Sequence, residues 1–189
     1  MAVTISLELS VERYYAREVL RAILHSILFH RSLTTTKPVE MHIDALDTTY
    51  TRLDDPEAYD LIEDRLNGLF VQVDSQVQTS TDKIKVSVFF YERRPKKFWF
   101  AKAEEEVCWE EWDVAVTFTQ ALTEQVQLQV HAQLVKSLNS CLMKISHAAN
   151  EKKDHIPPML TSDPFPYQIV LSLQPNTFWN TITKMIPTS

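Results

Sequence analysis

Apolar and polar positions alternate from the start of the chain: Val3, Ile5, Leu7 and Leu9 interleave with Thr4, Ser6, Glu8 and Ser10. A period of two puts one set of side chains on a buried face and predicts a half-buried strand. The period then lengthens. Val19, Leu20, Ile23, Leu24, Ile27 and Leu28 fall at helical spacing within residues 11–31, in a stripe so wide that this helix must be largely buried. Thr34–Pro38 reads as a loop, and residues 39–53, rich in Thr, Ile and Tyr, as a strand or hairpin. Asp54 or Asp55 caps a second helix that has Pro56 in its first turn. Tyr59, Ile62, Leu66 and Leu69 or Phe70 form its buried face, and Gly68 lies near its predicted C-terminal end.

Residues 72–82 are polar and read as a mobile connection. Ile84, Val86, Val88 and Phe90 then define a strand, with Val114, Val116 and Phe118 as its hairpin partner. Leu122, Val126, Val130, Leu134, Leu138, Leu142 and Ile145 recur at threes and fours and predict the longest helix over 120–149. Residues 151–166 hold four prolines and cannot be regular structure. Tyr167, Ile169, Leu171 and Leu173 alternate as a last strand ended by Pro175, with a short helix over 177–186.

The predicted order is β-α-β-α-β-β-α-β. A hairpin in the middle of the chain excludes an all-parallel sheet. The economical answer is one α+β domain over residues 1–189, three helices packed on a mainly antiparallel sheet. At this length folding buries roughly 70% of the unfolded chain's surface, enough for a real core.

Composition narrows the function. The only glycine is Gly68. Phosphate-cradling loops and dinucleotide turns need several, so a P-loop NTPase, a Rossmann dehydrogenase and a protein kinase are excluded. A formal net charge of −6 argues against nucleic acid bound over a whole face. Cys108 and Cys141 form neither a CxxC pair nor a disulfide framework, which points to a reducing compartment. No apolar run approaches a membrane span, and MAVTISLELS lacks the basic start of a signal peptide. The expectation is a soluble cytosolic domain.

Residues 91–113, YERRPKKFWFAKAEEEVCWEEWD, interrupt the predicted hairpin and read as a long functional insertion, with 92–107 as a projecting aromatic and basic loop. Arg93, Arg94, Lys96, Lys97 and Lys102 surround Phe98, Trp99 and Phe100, and Glu104, Glu105, Glu106, Glu110, Glu111 and Asp113 follow. Neighbours on a strand face opposite sides, so three consecutive aromatics cannot all enter one core. One reading folds Phe98 and Phe100 back on the sheet and lays Trp99 along lysine stems. A second is a protein-docking finger. A third is an interfacial contact with anionic lipid, and stacking on single-stranded nucleic acid ranks last.

Catalytic chemistry finds no foothold. His25, His30, His42, His131, His147 and His155 include no HExxH and no metal-finger spacing, and there is no GxSxG. His42 and Asp44 share a predicted strand face but read as a solvated edge. Glu104–Glu106 and Glu110–Glu111 read as a solvated turn and strand edge, and Cys108 and Cys141 as small core residues. His30 and Arg31 end the first helix, where they complement its dipole or, alternatively, line an interface.

Four stretches carry a resemblance: REVLRAILHSILFHRS (17–32), SVFFYERRPKKFWF (87–100), CWEEWDVAV (108–116) and PYQIVLSL (166–173). In this order they resemble the autophagy-related protein 101 family of HORMA-domain proteins. The resemblance implies a HORMA fold and no catalysis or cofactor. It implies a heterodimer with the HORMA domain of autophagy-related protein 13, within the kinase complex that starts autophagosome formation. It also implies residence in the cytoplasm and, when autophagy is induced, at the phagophore assembly site. Members recruit downstream autophagy factors through a projecting Trp/Phe loop, the WF finger, whose matching positions here are Trp99 and Phe100 with Phe98. Animal relatives carry Trp-Pro-Phe; this chain has Phe-Trp-Phe, with its proline earlier at Pro95. His30 and Arg31, with Gln133 and Lys136 on the long helix, are the expected partner-facing positions. The chain is also shorter than relatives that extend a C-terminal helix, so an open, non-wrapping state is expected. The competing reading is a checkpoint-type HORMA module that clamps a peptide with its C-terminal segment.

Overall fold

A computed structural model describes residues 2–33, 35–75, 83–97, 102–119, 123–159 and 163–174. In chain order the elements are β1 (Val3–Glu12), α1 (Arg13–Arg31), β2 (Pro38–Ile43), β3 (Thr48–Leu53), α2 (Pro56–Ser75), β4 (Lys83–Lys97), β5 (Lys102–Thr119), α3 (Glu124–Glu151) and β6 (Tyr167–Gln174). The predicted helix over 177–186 lies outside the described residues. One sheet has the strand order β1-β5-β4-β6, and β2 and β3 form a separate antiparallel hairpin. Only β1 and β5 run parallel; β4 pairs antiparallel with both β5 and β6. The molecule is therefore α+β, three helices with a mainly antiparallel sheet.

Strand alternation decides which face is covered. Ile5, Leu7, Leu9 and Val11 of β1, Ile84, Val86, Val88 and Phe90 of β4, and Trp112, Val114 and Val116 of β5 all point into the core. The opposite face is polar: the Ser87 hydroxyl donates to Asp113 at 2.6 Å, and the Lys85 ammonium stands 3.1 Å from the same carboxylate. Helix α1 lies in the core, packed between α2 and α3 and roofed by β3. Its one polar stripe faces α2, where Arg13, Arg17 and Arg21, each one turn apart, reach Asp74, Asn67 and Glu63. No helix among the described residues is long and apolar enough to cross a membrane.

Three expectations are corrected. Helix α2 does not end near Gly68 but runs on to Ser75, because Leu69, Phe70 and Val73 continue the buried face. Residues 72–75 of the supposed connection are thus helical. In α3 the stripe is buried only from Leu134 onward, where the helix packs on α1 and β1; Val126 is exposed and Val130 half-buried. The supposed loop over 92–107 is mostly strand: β4 and β5 stay paired from Lys83↔Thr117 as far as Lys97↔Lys102.

A buried histidine makes the fold acid-sensitive. His25 is stacked between Tyr50 and Tyr59 with ring centroids 6.1 and 5.8 Å away, and its Nε2 has no hydrogen-bond partner among the described residues. Burial, assisted by the Arg52 cation, pushes its pKa from 6.5 down to about 4. Between those values the unfolded chain holds the proton and the folded chain does not. Stability is therefore intact above pH 6.5 and falls as the pH drops towards about 4, by on the order of 3 kcal/mol in full. The Glu63 carboxyl, held low by Arg21, adds a loss of the same sign at more acid pH. Urea unfolding at a series of pH values should show this slope, and His25→Phe should flatten it above pH 5.

Candidate functional site

The register of the central hairpin breaks at one point. Phe90 pairs with Glu110 but Tyr91 pairs with Cys108, so Trp109 is an extra residue in β5, a β-bulge. The bulge lets two consecutive side chains, Trp109 and Glu110, both enter the interior. It also marks the sheet's end. Strand β1 reaches only to Val3↔Glu110, and β6 only to Tyr167↔Phe90. Beyond it β4 and β5 continue, without flanking strands, as a two-stranded ribbon. Opposite charges face each other along this ribbon, Arg93↔Glu106 and Arg94↔Glu105, and the Arg93 guanidinium lies 3.4 Å from Glu106. Pro95 is tolerated because no third strand needs its missing N–H.

The ribbon's root is anchored by a buried polar cluster. Glu110 is 0% exposed. Its Oε1 accepts from Arg31 Nε at 2.6 Å and from Trp112 Nε1, and its Oε2 lies 2.7 Å from His155 Nε2. The Arg31 guanidinium also donates to the carbonyls of Ala149 at 2.9 Å and Lys152 at 3.1 Å. Arg31 therefore complements the C-terminal end of α3, not that of its own helix. Aromatic packing completes the anchor: Trp109 meets Phe90, His155 and Phe165 with centroids 5.7, 5.6 and 5.1 Å away. Tyr91 N–H donates to Pro166 O at 2.8 Å. The ends of α1 and α3, the bulge and the Pro-rich segment thus meet at one place.

Phe98, Trp99 and Phe100 lie outside the described residues, in the stretch joining the last paired residues, Lys97 and Lys102. The other expected positions separate. Arg31 is 1% exposed and committed to the internal cluster, so it presents nothing to a partner. His30 is half-buried and lines a cleft of about 530 Å³ between α1, β3 and α3, with Phe29, Leu142 and Met143. Burial and the neighbouring Arg31 cation push its pKa below the ordinary value. Gln133 and Lys136 line a different depression against β1. With 100° per residue around α3, Leu142 and Met143 fall on one side of the buried stripe, and Gln133 and Ser137 on the other. His30 and Gln133 therefore belong to separate surfaces.

Sequence reasoning missed Glu110 and His155, and read Glu110 as solvated. Two signals were available. Glu110 keeps step with Trp112, Val114 and Val116, which places it on the core face, and an arginine ending a wholly apolar helix needs a counter-charge. Cys141 is buried as expected, whereas Cys108 is only half-buried, with its thiol 3.5 Å from Glu110 O. His42 stays on the exposed hairpin edge, 3.6 Å from Asp44. Among the described residues no three His, Cys, Asp or Glu side chains group as metal ligands.

The match to known proteins is extensive. The family model of autophagy-related protein 101 matches residues 8–163. The autophagy-related protein 101 of Arabidopsis thaliana is 30% identical over 171 residues, covering 80% of this chain and 78% of its own. That of Schizosaccharomyces pombe is 29% identical over 188 residues, covering 98% and 96%. The human protein of that name is 26% identical over 169 residues, covering 82% and 75%. The match takes in α1, the bulge, α3 and the histidine that closes the buried cluster: the chain belongs to the autophagy-related protein 101 family.

Proposed function

We propose that this autophagy-related chain is a non-enzymatic HORMA-fold adaptor of the autophagy-initiation kinase complex. It pairs with the HORMA domain of autophagy-related protein 13 and offers Trp99 and Phe100, with Phe98, as a finger that recruits downstream factors. It works in the cytoplasm and, on induction, at the phagophore assembly site. The observation carrying this reading is the ribbon: a hairpin that outruns its sheet and is rooted in a buried, fully engaged cluster. A two-stranded ribbon is marginal by itself. The investment in its root makes sense if what it carries must be held at a fixed distance and direction.

The ribbon also weighs against a lipid contact. Its five cations, Arg93, Arg94, Lys96, Lys97 and Lys102, share two strands with the carboxylates of Glu92, Glu104, Glu105 and Glu106. A nearly balanced ribbon has little attraction for anionic headgroups, so an aromatic tip meeting protein is the better account. For the pairing surface, the cleft at His30 is favoured, because it combines an imidazole kept neutral at pH 7 with the apolar Phe29, Leu142 and the 59%-exposed Met143.

The test is Trp99→Ala combined with Phe100→Ala. Melting temperature and co-purification with the autophagy-related protein 13 HORMA domain should be unchanged, while downstream recruitment in starved cells is lost. Unfolding of the double variant would show that these rings belong to the core; unimpaired recruitment would show that no finger operates.

A further inference from the structure

Helix α3 carries its apolar spacing further than the described core uses it. Leu134, Leu138, Cys141 and Ile145 are buried, but Val130 is half-buried and Val126, one turn earlier, is 40% exposed. At 100° per residue both valines fall on the flank that also carries Gln133 and Ser137. That flank walls a groove of about 680 Å³. The floor is the end of the sheet. Lys83, Thr117 and Ser10 form one row across β4, β5 and β1, and Ala115 and Glu8 stand in the next row. These residues alternate with the buried Ile84, Val116, Val114 and Leu9, so they belong to the outer face. The groove therefore crosses the strands at right angles and does not run along one of them.

The last described residue stands at the head of this groove. Gln174 closes β6 and pairs with Lys83, extending the same row by one strand. Residues 175–189 follow. Within them Phe178, Trp179, Ile182, Met185 and Ile186 recur at i, i+1, i+4, i+7 and i+8, with Asn180 and Lys184 on the opposite side. On a helix that spacing makes one apolar stripe about 120° wide. Pro187 follows the last apolar position. The lengths agree as well. Residues 175–177 provide a lead of at most about 10 Å. The span from β4 to β1 is about 10 Å, and residues 178–186 in helical form measure about 13 Å.

We propose that residues 178–186 of this chain lie as an amphipathic helix across the outer face of β4, β5 and β1, with their apolar stripe against Ala115, Val126 and Val130. The contact gives the first turns of α3 the cover that the described elements do not supply. It also shields two large aromatic rings from water. The occupant is the chain's own segment because of the tether: a linker this short holds it near its groove at an effective concentration on the order of millimolar. The site lies on the opposite flank of α3 from the His30 cleft and does not depend on the pairing assigned there.

Limited chymotrypsin digestion of the full chain, followed by mass spectrometry, reads the bonds after Phe178 and Trp179. Docking protects both. Ala115 is exposed on the groove floor, so Ala115→Arg fills the groove without entering the core. It should speed cleavage at these two bonds at least about tenfold, since cutting follows the undocked population. Ile186→Asp should do the same from the other side of the contact, and far-UV circular dichroism should show both variants folded. Two changes this far apart in sequence share an effect if their surfaces touch. Equal cleavage in the unaltered chain and both variants would overturn the proposal. So would acceleration by Ile186→Asp alone, which would place the segment elsewhere. Protection that fades on dilution would assign the groove to the segment of a second copy and overturn it too.

Discussion

Arg31→Met should lower the stability of the fold by about 3–5 kcal/mol, the range for removing one partner of a buried ion pair. Methionine keeps the stem's volume, so the loss is mainly electrostatic. Glu110 would remain buried with only Trp112 Nε1 and His155 as hydrogen-bond partners and no counter-ion in place of the guanidinium. The carbonyls of Ala149 and Lys152 would lose their side-chain donor at the same time. Arg31→Lys should recover only part of this, because a single ammonium cannot fork to a carboxylate and two carbonyls. Adding Glu110→Gln to Arg31→Met should destabilise by less than the sum of the two single changes, since no unpaired charge is then left inside. Urea unfolding followed by far-UV circular dichroism, at one pH and salt, measures all four. A loss below about 1 kcal/mol for Arg31→Met would place the cluster among surface-like ion pairs and remove the anchor from the account.

The sequence carries the framework of this molecule openly. Alternation in β1, β4 and β6 and the broad stripe of α1 each follow from one-sided or all-round burial, and burial is what hydrophobic patterning records. Local chemistry is legible too: of the two capping candidates, Asp54 and Asp55, it is Asp55 whose carboxylate accepts from the N–H groups of Glu57 and Ala58 at the start of α2. What pattern could not supply is context from distant chain. Glu110 and Glu111 are identical as letters. Only the bulge at Trp109 and the arrival of Arg31, 79 residues earlier, make one a buried anchor and leave the other outside. The same holds for 92–107. A run of charges reads as loop, yet cross-strand pairing of arginine with glutamate lets such a run form a ribbon without any apolar face. The four positions assigned to one interface scattered for a related reason: helical spacing tells which residues share a face of α3, but not what packs against each flank.

Trp109→Ala is the second large effect, about 3–4 kcal/mol, and it separates the root of the ribbon from the body. The indole fills the junction between Phe90, His155 and Phe165 and is 6% exposed, so truncation opens a cavity where the sheet ends. Its Nε1 has no hydrogen-bond partner among the described residues. Trp109→Phe therefore sacrifices some packing but removes an unpaired buried donor, and should cost no more than about 1.5 kcal/mol. The contrast tests shape against polarity at one position. The Ala variant should also change dynamics unevenly. Amides of 92–97 and 102–108, held only by the two ribbon strands beyond the bulge, should exchange with solvent much faster, whereas those of α1 and the central part of β5 follow the global loss alone. If the ribbon exists to hold its tip at a set angle, Trp109→Ala should weaken recruitment even under conditions where the fold remains fully populated. Uniform acceleration of exchange across the whole sheet, with recruitment tracking stability alone, would mean that Trp109 is ordinary core and that the bulge does not aim the hairpin.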